Sequence, residues 1–388
     1  MLAIGETMRR TLFDEEHDLF RQSFRTLLEQ HAVPHREAWL ESGVVDRELW
    51  LEAGKGGFLG MSVPAEFGGG GGEEDFRFNT VILEELAQAR TTGVGIPLHN
   101  DVVQPYLTDL ANEEQKQRWL PGFCSGEIIT AIAMTEPGTG SDLQGIKTTA
   151  VRKGDDWLLN GAKTFITNGI NADLVIVVAQ TEPGSGAKGL ALFVVERGMP
   201  GFERGRKLDK IGLRAQDTAE LFFEDVLVPR ENVLGEVGQG FAYLMRNLPQ
   251  ERLSIAVGAA AAIDFALQTT LEYVQNRQAF GKPVGKFQNT RFELAELTAE
   301  QAAVRALVDR SIEFHLRNEL SIQDAAIAKL YATERQLHVV DRCLQLHGGY
   351  GYMLEYPIAQ AYVDSRVQTI YGGTSEIMKE IIGRSLGL

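Results

Sequence analysis

The stretch KTTAVRKGDDWLLNGAKTFITNG, residues 147–169, decides the fold class, because it places two β-strands joined by a turn inside an otherwise helical sequence. Two short apolar runs, LVIVVAQ at 174–180 and GLALFVVE at 189–196, follow it and predict further strands. TAELFFEDVLVP at 218–229 predicts another strand, which its proline closes. No helical pattern long enough for a crossover separates these runs. They therefore indicate an antiparallel sheet or barrel rather than a dinucleotide-binding fold.

Helical periodicity frames this β region on both sides. Residues 14–31, DEEHDLFRQSFRTLLEQH, carry apolar side chains at helical spacing, with acidic residues in the first turn. Beyond residue 240 the helical period returns, and further helical patterns cover roughly 287–317 and 321–346. The first of these later helices has the apolar positions Leu253, Ala256, Val257, Ala260, Ile263, Leu267, Leu271 and Val274.

The chain is long enough for several domains that share a large core. Its 388 residues are 44% hydrophobic and 23% charged, which is the composition of a globular protein. The changes of period predict an N-terminal helical domain at 1–127, a middle antiparallel β-barrel domain at 128–240 and a C-terminal four-helix-bundle domain at 241–388. The predicted fold class is therefore α+β multidomain.

Charge and metal-ligand patterns exclude several functional classes. The net charge of −15 and the lack of a basic stripe argue against nucleic-acid binding. The two cysteines, Cys124 and Cys343, cannot build a disulfide framework or a thiolate metal site. His31 and His35 are four residues apart, but no glutamate follows His31 as the zinc-protease pattern requires. We predict no metal site.

The N-terminal sequence and a glycine run bear on location and flexibility. MLAIGETMRRTLFDEEHDLF lacks the apolar core of a signal peptide, so we expect a cytoplasmic protein. A mature mitochondrial-matrix chain that had lost a transit peptide would look the same. No run of about 18 uncharged apolar residues occurs, so no membrane span is expected. EFGGGGGEED at 66–75 has no preceding strand and no following Lys-Ser/Thr, which favours a flexible connector over a phosphate loop.

Two motifs in the β region suggest contact with a flat or anionic ligand. AIAMTEPGTGSDLQGIKTTA at 131–150 is an apolar strand followed by a Pro-Gly turn and Gly140-Ser141-Asp142, whose amides and hydroxyl can bind such a ligand. An ordinary turn-rich loop would look similar. In KTFITNG at 163–169, Phe165 precedes Thr167 by two residues on a strand, so the pair could stack on and hydrogen-bond a cofactor. Packing alone is the alternative interpretation.

Two motifs lie in the C-terminal helical region. NRQAFGKPVGKFQNTRFELAEL at 276–297 brings an arginine, an aromatic residue and an amide together at a helix break, which a plain helix–loop–helix does not explain. The segment 343–384 ends a helix at Gly348-Gly349 and leads to Thr374-Ser375-Glu376 at the start of a final helix. That helix start offers free backbone N–H groups to a ligand. A capping box there is equally compatible.

The order and spacing of these four motifs resemble the acyl-CoA dehydrogenase family over essentially the whole chain. AIAMTEPGTGSDLQGIKT, GRKLDKIGLRAQDTAELFFEDV and LPQERLSIA are most similar to the long-chain branch. The resemblance implies the acyl-CoA dehydrogenase-like three-domain fold, a homotetramer built as a dimer of dimers, and a role in fatty acid β-oxidation. It also implies FAD-dependent conversion of saturated acyl-CoA to trans-2-enoyl-CoA, with hydride transfer to flavin N5 and electron transfer to an electron-transfer flavoprotein.

The family pattern, carried onto this sequence, implies a set of FAD-binding residues. Those expected to line the flavin of their own subunit are Ile132, Ala133, Met134, Thr135, Gly140, Ser141, Phe165, Ile166, Thr167, Thr374, Ser375 and Glu376. Those expected to reach the FAD of a neighbouring subunit are Arg277, Gln288 and the stretch Gln345 to Gly349, including Gly348, with Phe280 also counted as cofactor-binding. Many relatives carry Trp in place of Phe165, so ring stacking is kept but an indole N–H is missing.

The resemblance also implies the catalytic base. Many family members have a glutamate where this chain has Gly372, but in the long-chain and isovaleryl branches the base lies on a C-terminal helix. The matching residue here is Glu251. Pro249 suits the first turn of a helix, or kinks a longer one, so Glu251 could also be a first-turn acid that favours the helix dipole. We expect the backbone N–H of Gly372 to donate to the thioester carbonyl.

Further contacts along the acyl-CoA chain are expected from a small group of residues. These are Ser141, Pro249, Arg252, Tyr371, Gly372 and Gly373. Arg252 follows Glu251 directly, so its side chain should point about 100° away from that of Glu251 on a helix. Other functions compatible with the sequence are an isovaleryl-type dehydrogenase for short branched thioesters, a flavin oxidase or monooxygenase on the same fold, and a flavin-binding scaffold without a base.

Overall fold

The computed structural model describes residues 10–71 and 74–388, which form helices, then a β-sheet, then helices again. Residues 1–9 of the N-terminal sequence lie outside the described residues, as do Gly72 and Glu73 of the expected connector. The fold class predicted from the changes of period is confirmed.

The described N-terminal residues form six α-helices. They are α1 (Glu15–His31), α2 (Arg36–Ser42), α3 (Arg47–Lys55), α4 (Phe76–Gln88), α5 (Gln104–Leu110) and α6 (Glu113–Ser125). The predicted apolar face of α1 is buried at Phe24, Leu27 and Leu28. A π-helical segment, Leu98–Val103, runs directly into α5. This segment and α5 bring the N-terminal part against the later helices.

One group of side chains at the start of α1 has the proximity of metal ligands. Asp14, Glu16 and His17 place ligand atoms within 4.8 Å of one another. Both ring nitrogens of His17 are already hydrogen-bonded, one to the backbone N of Asp14 and one to the carboxylate of Asp75, each at 3.1 Å. The group therefore serves as a helix cap.

The middle part is one sheet whose strands run in the spatial order β6-β7-β3-β2-β4-β5-β8. Its strands are β1 (Thr130–Ala133), β2 (Thr149–Lys153), β3 (Asp156–Thr167), β4 (Leu174–Gln180), β5 (Leu190–Glu196), β6 (Phe202–Lys207), β7 (Thr218–Val228) and β8 (Val233–Leu234). Most neighbours are antiparallel, as predicted. β4 differs, because it pairs in parallel with β1 along the length of β1 and with β2 at Thr149 and Gln180. The long connection through β2 and β3 makes that direction possible.

The sheet is covered on both faces, which explains the unbroken apolar runs of its central strands. Along β4, Leu174, Ile176 and Val178 pack with Trp119 and other N-terminal residues. The alternate residues of β4 pack in a second core with aromatic side chains of β3, β5 and β7. The sheet is thereby held rigidly against the N-terminal helices, and its strand ends can position a site.

The C-terminal part is a helical bundle around one long helix. Its elements are α7 (Gly240–Asn276), β9 (Gln278–Ala279), β10 (Lys282–Pro283), α8 (Gln288–Leu316), α9 (Ile322–Leu346), α10 (Pro357–Ser365) and α11 (Ser375–Ser385). α7 packs against α4, α8, α9 and α10. Pro249 lies inside α7, so the helix runs through the proline instead of starting there.

α7 is the one helix in the described part of the chain that is long and apolar enough to cross a membrane. Of its most apolar 18-residue window, 61% is buried within the protein. Its apolar face, from Leu253 to Leu267, packs against α8 and α9 in the core of the bundle. The apolar character of α7 is thus accounted for by its central position.

Candidate active site

A cleft of about 560 Å³ opens where the N-terminal helices, the sheet and the C-terminal bundle meet. α7 lines it from Phe241 to Phe265, a length of about 36 Å at the helical rise. The other walls include Leu83 and Leu98 from the N-terminal part, Ile132 from the sheet, and Ile377 from α11. Because all three parts of the chain contribute, the cleft is complete only in the whole folded protein.

The cleft brings together most of the residues that the sequence singled out. The thirteen that line it are Ile132, Met134, Thr135, Gly140, Ser141, Phe165, Ile166, Thr167, Glu251, Arg252, Tyr371, Gly372 and Gly373. They come from four separate segments of the chain, on both sides of the sheet–bundle boundary. Their convergence marks this cleft as the candidate active site.

Other residues in the prediction lie beside the cleft or away from it. Ala133 points into the sheet core, and Pro249 is half-buried in α7 without lining the cleft. Thr374 caps α11 by accepting a hydrogen bond from the Ile377 N–H at 3.3 Å, and Ser375 and Glu376 follow in the first turn. Six residues are on the protein surface outside the cleft, namely Arg277, Phe280, Gln288, Gln345, Gly348 and Gly349. Their predicted contact with a neighbouring subunit stays a prediction.

Glu251 is a buried carboxyl group of the cleft. It lies eleven residues after the start of α7, so it is not a first-turn acid. Glu251 is only 7% exposed. The Tyr106 hydroxyl donates a hydrogen bond to Oε1 of Glu251 at 3.1 Å. Burial raises the pKa of Glu251 to about 7, although the Tyr106 hydrogen bond and the Arg252 charge act in the opposite direction. Such a group can accept a proton near neutral pH.

The Gly372-Gly373 segment faces the same cleft in a backbone conformation that favours glycine. Their φ angles are +63° and +97°. A Cβ atom on Gly372 would lie 2.3 Å from Cδ1 of Ile255, a side chain one turn after Glu251 on α7. A side chain at 372 would therefore strain the backbone and displace the end of the Ile255 side chain.

Two buried cations hold the carbonyl side of this segment. The Arg252 Nε donates to the Gly372 carbonyl at 3.4 Å, and the Lys329 Nζ donates to the Gly373 carbonyl at 2.7 Å. Burial, with the nearby Arg252 charge, lowers the pKa of Lys329 to about 8. Arg252, predicted to contact substrate, thus turns toward the glycine segment while still lining the cleft.

A buried ion pair fixes the loop that carries Thr135 and Ser141. The Glu136 carboxylate accepts hydrogen bonds from the backbone N–H groups of Lys147 and Thr148 at 2.7 and 2.9 Å. It also accepts one from the Lys163 Nζ at 2.9 Å. Burial lowers the pKa of Lys163 to about 8 in spite of this pairing. Because both ends of the loop are fastened to one carboxylate, its cleft-facing hydroxyls are held in place.

The sheet presents an aromatic surface to the cleft. Phe165 has φ +60° and lies where the β3–β7 pairing shifts register, between Lys163 and Ile166. Phe165 is 67% exposed. Among the described residues, no hydrogen bond engages the hydroxyls of Thr135, Ser141 or Thr167, all of which line the cleft. The side-chain oxygen of Gln368 is buried there without a partner as well. A flat, largely apolar ring with polar edges would fit this combination.

Sequence reasoning missed two residues that contact the key groups. Tyr106 is 145 positions from Glu251 in the chain, and no motif surrounds it. Lys329 offered a signal, because it is a lone cation within the apolar pattern DAAIAKLYA of α9. A charged residue at a buried helix position usually has a specific partner, which here is the Gly373 carbonyl.

Comparison with known proteins identifies the family. The family descriptions "Acyl-CoA dehydrogenase, N-terminal domain", "middle domain" and "C-terminal domain" match residues 14–127, 131–226 and 238–387. The chain belongs to the acyl-CoA dehydrogenase family. It is therefore an oxidoreductase of acyl-CoA thioesters, and the family consists of flavoproteins.

Individual members of this family cover nearly the whole chain. The long-chain specific acyl-CoA dehydrogenase of mouse mitochondria is 51% identical over 97% of this chain and 88% of its own length. An acyl-CoA dehydrogenase structure from Geobacillus kaustophilus has a TM-score of 0.94 and 50% identity, covering 97% and 99% of the two chains. A glutaryl-CoA dehydrogenase of Mycobacterium smegmatis, in complex with FADH2, has a TM-score of 0.92 and 30% identity, covering 100% and 98%.

Proposed function

We propose that this acyl-CoA dehydrogenase oxidises long-chain acyl-CoA thioesters and that Glu251 removes the α-proton. The observation that carries the proposal is a buried carboxyl group, with a pKa raised to about 7 by burial, in one cleft with the Gly372-Gly373 segment and the exposed Phe165 ring. Ile255 touches the glycine segment and lies four residues after Glu251, hence on the same face of α7. A thioester held against the glycines would thus lie within about a helical turn of the carboxylate.

The residues of the cleft divide the chemistry between them. A thioester α-proton is a poor acid, so a base must be close while donors stabilise the developing enolate. Glu251 supplies the base, and the N–H of Gly372 is the proposed donor to the thioester oxygen. Arg252 and Lys329 hold the carbonyl groups of the segment and so fix the direction of its peptide planes. Closing the cleft over substrate would expel water and strengthen both effects.

The residues fit FAD as the cofactor. Phe165 would stack on the ring, while the free hydroxyls of Thr135, Ser141 and Thr167 would hydrogen-bond its polar edges. When bound, FAD would supply the hydride acceptor at flavin N5. The N-terminus of α11, capped by Thr374, is the proposed contact for a polar part of the same cofactor.

The shape of the cleft supports a preference for long acyl chains. From Glu251 to Phe265 the cleft follows α7 for about 21 Å. Gly258 and Ala262 keep this arm open, and Leu83 of α4 faces Gly258 across it. An apolar arm of this length gains hydrophobic energy with each added methylene, about 0.8 kcal/mol when fully buried.

Filling the arm should shorten the preferred substrate. A Cβ on Gly258 would meet only Gln368 and Leu83 atoms at 3.8 Å, so the backbone accepts a side chain there, and the rest of the leucine in Gly258→Leu would narrow the cleft. Helix propensity also favours the change. We expect kcat/KM to fall about tenfold or more for sixteen-carbon acyl-CoA, and a tenfold fall corresponds to about 1.4 kcal/mol of transition-state stabilisation. For short-chain acyl-CoA we expect a much smaller fall. Gly383→Leu, in a helix position with open space, is the matched control. An unchanged chain-length profile would contradict the placement of the acyl chain.

The function itself can be tested with saturated acyl-CoA substrates of increasing length. We expect anaerobic mixing to bleach the bound flavin, fastest with long unbranched chains, and the reduced enzyme to reoxidise slowly in air. An optimum at five carbons or fewer would favour an isovaleryl-type enzyme. Rapid reoxidation by oxygen would favour an oxidase or monooxygenase. The absence of bleaching with every thioester would contradict a dehydrogenase function.

The partners proposed for the enzyme follow from the family resemblance. Electrons would pass to an electron-transfer flavoprotein, and the chain would assemble as a homotetramer. Exposed aromatic side chains support assembly, since Phe280, Phe292 and Tyr352 are 96%, 59% and 83% exposed. Phe280 lies beside Arg277 and Gln288, the residues proposed to reach a neighbouring FAD. We place the enzyme in the cytoplasm, with a mitochondrial location, the one in the name of its mouse relative, as the alternative.

A further inference from the structure

The Tyr106 hydroxyl is a hydrogen-bond partner of the buried Glu251 carboxyl group. Tyr106 lies in α5, is fully buried, and donates to Oε1 of Glu251 at 3.1 Å. No other hydrogen bond to this carboxyl group occurs among the described residues. A carboxylate has two oxygens, so this bond engages one of them and leaves Oε2 available to the cleft.

The surroundings of Tyr106 keep its hydroxyl protonated. Burial raises the pKa of Tyr106 well above its ordinary value, and the Glu251 charge adds to the effect. Asn247, one helical turn before Glu251, approaches the same phenol and acts in the opposite direction. Since the phenol does not ionise near neutral pH, it can only donate a hydrogen bond to the carboxylate form of Glu251.

Several charged or titratable groups surround this pair and must be separated from it. Asp101 is one competitor, because it is buried, accepts a hydrogen bond at 2.5 Å from Ser254, three residues after Glu251, and has a pKa raised to about 7 by burial. Asp364 of α10 is another, because it lines the cleft and burial raises its pKa. The other groups facing Glu251 or its neighbours are Arg252 and Arg246 on α7, Asp109 paired with Arg246, His315 on α8 and Lys329 on α9.

We propose that Tyr106 is a positioning residue, which acts through Glu251 by stabilising the charged form of its carboxylate with the hydrogen bond to Oε1. The proposal rests on the proposed role of Glu251 as base. Without the Tyr106 donor, the buried charge has no hydrogen-bond partner, and the protonated form is favoured.

Tyr106→Phe in the FAD-loaded enzyme should therefore move the acid limb of the reaction. We expect the midpoint for anaerobic flavin bleaching by a long-chain acyl-CoA to rise by about one pH unit above that of the wild type. At pH values below both midpoints, the rate of flavin bleaching in Tyr106→Phe should be about tenfold lower than in the wild type. Well above them, it should return to nearly the wild-type rate, since Glu251 is then ionised in both proteins.

Three further variants make the result specific. Tyr243, on α7, also has a hydrogen-bonded hydroxyl, which accepts from the Glu236 N–H outside the cleft. Tyr243→Phe removes that hydroxyl and should leave the pH profile unchanged. Asp101→Asn removes the competing carboxyl group and should also leave the acid limb in place. Glu251→Gln tests the proposed base itself, and this variant should lose substrate-dependent bleaching of the flavin.

Each outcome separates the two proposals. An unshifted limb in Tyr106→Phe, together with loss of bleaching in Glu251→Gln, would overturn the role of Tyr106 and leave the base intact. A rate lowered equally at all pH values would reduce Tyr106 to a packing residue. A limb that moves in Asp101→Asn would assign the titration to Asp101. Full bleaching by Glu251→Gln would instead overturn the proposed function.

Discussion

Replacing Glu251 by glutamine is expected to remove substrate-dependent bleaching of the flavin almost completely. A positioned general base contributes about 10²–10⁴-fold to a rate, and the upper part of that range applies here because a thioester α-proton is weakly acidic. Among the described residues, the other carboxyl groups that line the cleft are Asp142, which is exposed, and Asp364, whose two oxygens accept hydrogen bonds from the Leu213 N–H and the Thr92 hydroxyl. Neither lies on the face of α7 that meets the glycine segment, so we expect neither to replace Glu251.

The fold should survive this substitution. Glutamine has nearly the same shape as glutamate, and its carbonyl oxygen can still accept the Tyr106 hydrogen bond. FAD content, measured by absorbance, and thermal stability should remain close to the wild-type values. Asp101→Asn is the matched control, because Asp101 is equally buried and also has a pKa raised to about 7 by burial, yet does not line the cleft. Rapid bleaching by Glu251→Gln would assign the base to another residue.

The sequence was sufficient for the fold because the decisive signals are local. β4 is buried along its whole length, and its almost entirely apolar run LVIVVAQ predicts a buried strand. The helix α7 follows from alanine-rich periodicity in the same way. The parallel pairing of β1 with β4 could not be read locally, since it depends on how the chain between Ala133 and Leu174 folds back.

The candidate site was only partly predictable for the same reason. Glu251 was ambiguous in sequence, because a glutamate two residues after a proline also suits a first helical turn. Its burial and its contact with Tyr106 depend on packing between parts of the chain that are far apart in sequence. The family resemblance pointed to Glu251, but only the fold shows Ile255 occupying the space beside Gly372.

Gly372→Ala should lower kcat/KM strongly while leaving FAD bound. At φ +63° an alanine costs about 1–2 kcal/mol. Its methyl group would also meet Cδ1 of Ile255 at 2.3 Å, and the end of that flexible side chain must rotate away to make room. The backbone strain alone corresponds to about a tenfold loss or more, since each tenfold is about 1.4 kcal/mol. Steady-state kinetics with a long-chain acyl-CoA would measure it.

A second substitution can separate the contact from the backbone strain in Gly372→Ala. Ile255→Val deletes the Cδ1 atom that an added methyl group would strike, so Gly372→Ala/Ile255→Val should recover part of the lost activity relative to Ile255→Val alone. The remaining loss would measure the strain at φ +63° and the displaced N–H of residue 372. Gly383→Ala, in α11 with nothing near the added atom, should have no effect. If Gly372→Ala is as active as the wild type, the close packing of residue 372 on α7 is not required for catalysis, and the proposed donor role of its N–H loses its structural support.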